Sequence, residues 1–292
     1  NEQGSATITG STFVNNNING HYFSSGGGID IKGEATISNS TIAQNINSGC
    51  EGGGEGGGIN VHQQGVATIS GSAITGNIVH SYNEGGHTEH PGAGGGLSNL
   101  GTTQIVNTTI SGNTANNGGG LANLNTGQLT VIHSTVTSNQ APQDHNDVMT
   151  VGGYGGGFFA APTLYNDSCT KTTLKGVILS GSQAAVSGNQ AIFDPDAGCG
   201  ASMTVNAFNL FGQSNSSGIV GFSKGANDIV PTVGMSSILS PLANNGGPTF
   251  THALVANSPA LDRAPNASCN AAPVSGVDQR GQPRNQNGAG GV

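Results

Sequence analysis

Residues 26–45 read GGGIDIKGEATISNSTIAQN, and both halves of this stretch recur along the chain. The first half, a glycine triplet followed by a large apolar residue, occurs five times, at 26–29, 56–59, 94–97, 118–121 and 155–158. The second half has the form Ile-x-x-Ser-x-Ile-x-x-Asn. Its copies start at Ile8, Ile37, Ile69, Ile105 and Val131, with weaker copies at Leu174 and Val205. A unit repeated at this period predicts a solenoid.

The second half of the repeat contains a predicted corner. Its two apolar positions lie five residues apart, whereas a straight strand turns only residues of equal parity to one face. The chain must therefore bend between them, two residues after the first apolar position. The residues there are Gly10, Asn39, Gly71, Asn107, His133, Gly176 and Ala207. Gly, Asn and His tolerate a positive φ best, so we expect a left-handed residue at every corner except Ala207.

A third short strand follows each glycine triplet, as in Ile29-Asp30-Ile31. Three short strands per turn predict an all-β, right-handed parallel β-helix, the hand being taken by analogy with the commoner class of such solenoids. The asparagine that closes each copy should stack on its neighbours and satisfy buried backbone groups. The expected ladder comprises Asn16, Asn45, Asn77, Asn113 and Asn139.

The pattern loosens after residue 203, and Pro and Gly then mark turns rather than regular strands. We therefore expect coils with loop insertions over residues 1–212 and an irregular C-terminal cap or anchor-type region over 213–292. The copy at Ile8 has no glycine triplet before it. The chain thus starts within a coil, and we expect a mature or trimmed form.

The composition excludes several classes of partner. Only 8% of residues are charged, the formal net charge is −8, and there are seven Lys and Arg. So few basic residues argue against binding nucleic acid or an anionic membrane. No apolar run approaches 18 residues, so no transmembrane segment is predicted. This polar, charge-poor composition is typical of an extracellular or cell-surface protein.

Four cysteines are present, and their spacing matches no zinc motif. In an extracellular protein we expect disulfides. Cys169 and Cys199 flank the weak copy at Leu174 and form the preferred pair, whereas Cys50 and Cys269 form either a second pair or free thiols.

Two resemblances rest on longer stretches. The glycine triplets and Phe13-x-x-Asn16 resemble the repeats of polymorphic outer-membrane proteins, over roughly residues 1–160. The runs LANNGGPTFTH at 242–252, SPALD at 258–262 and DQRGQPR at 278–284 resemble the C-terminal region of the "choice-of-anchor" class of bacterial secreted β-helix proteins. These resemblances imply a non-catalytic bacterial surface protein. That family usually continues into an acidic, cysteine-containing end with an anchor, whereas this chain stops at Val292 without one.

Several clusters could instead carry chemistry. Asp30 and Lys32 share a strand face near Glu34, and Asp194 and Asp196 have a spacing that could suit a carboxylate pair. Parallel β-helices include polysaccharide lyases and hydrolases, which need such groups. Potential metal ligands occur at 84–91, around His87, Glu89 and His90, and at 144–147. A solvated strand face, a structural turn and chance loop composition are the competing interpretations. No cofactor is therefore expected, with Ca²⁺ at the Asp194 turn as the alternative.

In the C-terminal region, His252 suggests catalysis together with Asp262 and Arg280. The preferred interpretation is a cap whose polar residues pair with each other, with Arg280 and Arg284 bridging to Asp262 or Asp278.

The favoured function is a structural or adhesive surface solenoid, an adhesin-like protein that associates end to end through its first coil into a filament. Its partners would be further copies of itself and surface glycans. The alternative is a polysaccharide lyase, a hydrolase or a carbohydrate-binding β-helix, but aromatics make up only 4% of the chain and Trp is absent.

Overall fold

The computed structural model describes residues 4–20, 24–49, 53–81, 92–142, 153–161, 170–185, 191–193 and 201–284. Within these ranges the chain forms a parallel β-helix, which confirms the predicted fold class. Three long sheets, each of seven parallel strands, form its walls. We call them sheets A, B and C in the order in which a coil visits them, and we number the coils 1 to 7 along the chain.

The strand bounds show one strand of each sheet in every coil. Sheet A contains Ser5–Thr9, Glu34–Ser38, Val66–Ser70, Thr102–Val106, Gln128–Ile132, Lys171–Lys175 and Ser202–Thr204. Sheet B contains Thr12–Val14, Thr41–Ala43, Ala73–Thr75, Thr109–Ser111, Thr135–Thr137, Ile178–Ser180 and Leu210–Phe211. Sheet C contains Ile29–Ile31, Ile59–Val61, Leu97–Asn99, Leu121–Leu124, Phe158–Ala161, Ala191–Phe193 and Ile219–Val220.

Shorter strands complete several coils between sheets B and C. They are Asn17–Gly20, Ile46–Gly49 and Ile78–Ser81, then Ser24–Ser25 with Gly54–Glu55, and Gln140–Ala141 with Gln183–Ala184. An antiparallel hairpin, Leu239–Ala243 with Thr251–Leu254, follows the coils. The remaining elements are a 3-10 turn at Met235–Ser237 and a short α-helix at Asn266–Asn270.

Equivalent apolar positions lie directly above one another in the core. Ile37 pairs with Ile8 and Ile69, and Ile42 pairs with Phe13 and Ile74. All three sheets contribute to one continuous apolar cluster that includes Ile37, Ile42 and Ile59. Because each strand has only two to five residues, a coil is stable only when it stacks on its neighbours.

The five ladder asparagines stack as the repeat predicts. The side-chain NH₂ groups of Asn16, Asn45, Asn77 and Asn113 each donate to Oδ1 of the next rung, over 2.8–3.0 Å. The same Oδ1 atoms also accept the backbone N–H of the rung below. From Asn45 onward, each NH₂ also donates to a sheet B carbonyl of the preceding coil, as Asn77 does to Ile42 O at 3.0 Å. The inner rungs are fully buried yet hydrogen-bonded.

The six predicted left-handed corners have φ angles between 46° and 60°. They are Gly10, Asn39, Gly71, Asn107, His133 and Gly176. A second ladder of hydroxyls follows them, in which Ser72 Oγ donates to Ser70 O at 2.8 Å and accepts the backbone N–H of Ser40 at 3.1 Å. The serine of the repeat therefore supports the corner and links adjacent coils.

The first and third glycines of each triplet have different structural roles. Their first members, such as Gly56 with φ +69°, adopt a left-handed conformation. The third members lie against the asparagine ladder: a Cβ on Gly58 would come within 2.6 Å of Gly96 O and 2.9 Å of Asn77 Nδ2. A side chain there would displace both the backbone of the next coil and a ladder rung.

Coil 7 ends in an irregular cap, as the sequence predicts. Asp228, 2% exposed, accepts the backbone N–H of Asn209 at 2.9 Å and its side-chain NH₂ at 3.0 Å. Its carboxylate thus replaces the side chain that a further coil would supply. Phe222 packs edge to face on Phe211, with ring centroids 5.9 Å apart.

Residues 230–284, which we call the C-terminal arm, lie along the side of the solenoid rather than only over its end. Thr249 Oγ1 donates to Gly71 O at 3.0 Å, and Gln279 Nε2 donates to Ser72 O at 3.0 Å, both in coil 3. Val274 packs on Val106 and Ile132 of coils 4 and 5. The arm therefore spans several coils along the corner between sheets A and B, in addition to the irregular cap that the sequence predicts.

Replacement of Asn113 by alanine should lower the free energy of unfolding by about 3 kcal/mol, because several buried groups lose their partners at ~1–3 kcal/mol each. Asn16→Ala is the matched control, since Asn16 is an exposed first rung and should cost less than about 1 kcal/mol. Urea unfolding measures both variants. Equal losses in the two would contradict a ladder that works by satisfying buried groups.

Candidate functional sites

The outer face of sheet C carries a cluster of titratable side chains in coils 1 and 2. Asp30 Oδ1 accepts a hydrogen bond from Asn60 Nδ2 at 3.1 Å and lies 2.7 Å from His62 Nε2. Asn60 is the register partner of Asp30 in the next coil, and His62 follows two residues later on the same side. Stacking therefore joins residues that lie about one repeat apart in the sequence.

Glu55 belongs to the same cluster. Burial raises the pKa of its carboxyl, the nearby His62 lowers it, and Asp30 raises it further. Asn60 and Ser98, register partners in sheet C, are fully buried, and neither Asn60 Oδ1 nor Ser98 Oγ has a hydrogen-bond partner in the described structure. Two carboxylates of different environment beside an imidazole can in principle exchange protons as an acid and a base.

The carboxylate cluster differs from the one that the sequence suggests. Asp30 is in it, but Lys32 and Glu34 are exposed and lie outside it. Glu34 starts a strand of sheet A instead. Sequence analysis missed Glu55, Asn60 and His62. The repeat does contain a signal for two of them. Asn60 and His62 occupy the same positions after the second glycine triplet as Asp30 and Lys32 do after the first.

Of the three C-terminal residues that suggested catalysis, His252 and Arg280 line one cavity and Asp262 does not. His252 Nδ1 donates to Ser240 O at 2.7 Å, and its Nε2 accepts the Ser111 hydroxyl at 2.9 Å, so both ring nitrogens hold the arm in place. Asp262 is exposed in a left-handed turn. Arg280 pairs with Asp278 at 2.6 Å, one of the partners that the sequence suggests.

Arg284 connects the arm to the stacked left-handed corner residues between sheets A and B, which we call the corner row. Its Nη2 donates to Asn107 Oδ1 at 2.8 Å and to His133 O at 3.5 Å, and its Nε donates to Val277 O at 2.9 Å. Arg284 thus bonds to neutral oxygens instead of the carboxylates expected from the sequence. Burial lowers the pKa of its guanidinium, and the nearby Cys269 and Asp278 partly oppose this effect.

Other predicted site residues lie outside the described residues: Cys50, Cys169, Cys199, Asp194, Asp196, and the clusters at 84–91 and 144–147. The pairing of Cys169 with Cys199 therefore stays a prediction. Cys269 is described, and it is a buried free thiol. In the described ranges, no three His, Cys, Asp or Glu side chains are grouped to hold a metal ion. No helix there has the length and hydropathy to cross a membrane.

Comparison with known proteins gives one structural similarity. No protein-family model matches the chain, and no curated protein matches it. Among solved structures, the chain is similar to the crystal structure of pectate lyase Pel9A, with a TM-score of 0.47 and 15% identity. The similarity covers 90% of this chain and 70% of that chain. At this identity the similarity concerns the fold and transfers no activity.

His133 should make stability depend on pH. Burial and then Arg284 lower its pKa from 6.5 to about 4, so the folded protein prefers the neutral imidazole. Its contribution to stability is complete above the unfolded pKa of 6.5 and is lost as pH falls from 6.5 towards 4. The substitution His133→Asn should remove this loss of stability. Asparagine is already the corner residue at the equivalent positions Asn39 and Asn107. The melting temperature of each protein is measured at pH 7.5 and at pH 4.5. The same decrease in melting temperature at the lower pH in both proteins would contradict the assignment to His133.

Proposed function

We propose that the protein is a non-catalytic, extracellular structural or adhesive β-solenoid. One observation carries the proposal: among the described residues, Asp30 and His252, two titratable residues that could act in catalysis, are engaged in bonds that hold coils or the arm together. Asp30 joins coil 1 to coil 2, and His252 attaches the arm to coil 4. An enzyme instead needs such groups to be available to its substrate.

The construction of the solenoid wall supports this role. Buried ladders link adjacent coils, and the arm bonds across coils 3 to 5. Such a wall suits a rigid support. Surface glycans are the proposed partner class, and the bacterial cell surface is the proposed location.

A polysaccharide lyase or hydrolase is the second candidate, because Glu55 lies beside Asp30 and His62. The raised pKa of Glu55 suits a general acid, and Asp30 would be the second carboxylate of the pair. The hydrogen bonds of Asp30 to Asn60 and His62 favour the structural role.

The purified chain should bind immobilised acidic or neutral polysaccharides without releasing new reducing ends or unsaturated products. The reason is that Asp30 is engaged in hydrogen bonds between coils. Product release that disappears in both Asp30→Asn and Glu55→Gln would contradict the proposal and establish the enzyme. Asp262→Asn, which removes an exposed carboxylate outside the cluster, is the matched control and should change nothing.

Filament formation through the first coil stays a prediction. Strand addition to a free sheet edge is its physical basis. Electron microscopy of concentrated protein should show filaments with the coils stacked along the axis, and dispersed single particles at every concentration would contradict it.

A further inference from the structure

A cavity lies between the C-terminal arm and the solenoid wall. Its volume is about 170 Å³, and both partners line it. Coils 4 to 7 contribute residues of sheet B and of the corner row, and the arm contributes the hairpin and the segments around Ala264 and Arg280. This cavity is separate from the Asp30 cluster. It lies at the corner between sheets A and B, whereas the Asp30 cluster lies on sheet C, and no residue of that cluster lines it.

The cavity concentrates positive charge in an acidic protein. The chain has only three arginines and a formal net charge of −8, yet Arg263, Arg280 and Arg284 all line this one space. Asp278 is the single carboxylate among the lining residues. All four lysines lie outside this lining.

The positive charge exceeds what the lining neutralises. Asp278 forms its ion pair with Arg280, whereas Arg284 donates hydrogen bonds to the neutral oxygens of Asn107, Val277 and His133. Arg263 is exposed. Arg284 is largely buried beside the cavity, so an added anion would gain Coulomb attraction to it that is stronger than in bulk water.

The two histidines of the lining do not add to this charge at neutral pH. Burial lowers the pKa of His133 to about 4 and also lowers that of His252. The cations available to a ligand are therefore guanidinium groups, whose planar fork matches a carboxylate better than a point charge does.

The size and walls of the cavity restrict the ligand. A volume of about 170 Å³ suits a small acid or a single acidic end group. Thr135 and Thr251 offer hydroxyl groups, whereas Leu210 and Leu239 form apolar wall. A small molecule with both hydroxyl groups and a carboxylate complements these surfaces.

We propose that this cavity binds a small hydroxylated carboxylate through Arg263 and Arg284, either as a free hydroxy acid or as the acidic end group of a larger glycan. The arm then has a second role besides stabilising the solenoid, because it supplies the arginines of the site. The solenoid wall supplies the hydroxyl-bearing and apolar surfaces opposite them.

Isothermal titration of the full chain tests the site with four probes: glucuronate, a short oligosaccharide ending in glucuronate, glucose and inorganic phosphate. We expect glucuronate to bind and glucose not to bind. The oligosaccharide distinguishes the sources: tighter binding than glucuronate indicates an end group of a glycan, and weaker binding indicates a free acid. Failure of glucuronate and the oligosaccharide to bind at millimolar concentration would overturn the proposal, as would phosphate binding more tightly than both.

Arg263→Gln should weaken carboxylate binding by about tenfold or more, as expected for loss of a charge-assisted hydrogen bond. The fold should be unaffected because this side chain is exposed. Lys171→Gln is the matched control, since it removes one exposed positive charge from sheet A outside the cavity and should leave the affinity unchanged. Equal weakening in both variants would show a general charge effect and overturn the site. Polysaccharide turnover at the Asp30 cluster is a separate measurement, so this proposal and the proposed function can fail independently.

Discussion

The hydrogen-bonded column of asparagine side chains is the constraint on which the rest of the structure depends. Between sheets B and C the chain must turn inside a dry interior, where an unpaired backbone group is costly. Each inner asparagine resolves this by accepting two N–H groups from the preceding rung and donating to the next rung and to a carbonyl. The bonds require adjacent coils to keep one register, so the ladder also aligns the three sheets.

The same constraint explains the glycine triplets. The third glycine of each triplet faces the ladder amide, and a Cβ on Gly58 would overlap both Asn77 and the backbone of the next coil. The hydroxyl column and left-handed residues perform the corresponding task at the corner between sheets A and B. Coils can then differ in length only through insertions at places that interrupt neither the asparagine column nor the hydroxyl column.

The C-terminal arm uses the corner row as its attachment surface. Gly71, Asn107 and His133 occupy equivalent corners, and the arm bonds to a carbonyl or side chain of each. These contacts bury two histidines and an arginine, and desolvation lowers the pKa of all three. Attachment of the arm therefore gives the solenoid two histidines of lowered pKa and a cavity lined by three arginines.

The sequence by itself determined the coils, their corners and the asparagine column, because each depends on residues within one repeat whose spacing repeats along the chain. It did not predict the group of Asp30, Glu55 and His62, since these residues come from different coils and are brought together by register. It also assigned the C-terminal region to the end of the solenoid. Only the tertiary structure decided that this region returns along the side and places three arginines around one cavity. The arm has no periodic pattern, and its contacts to coil 3 join residues about 180 positions apart, so no local spacing encodes them.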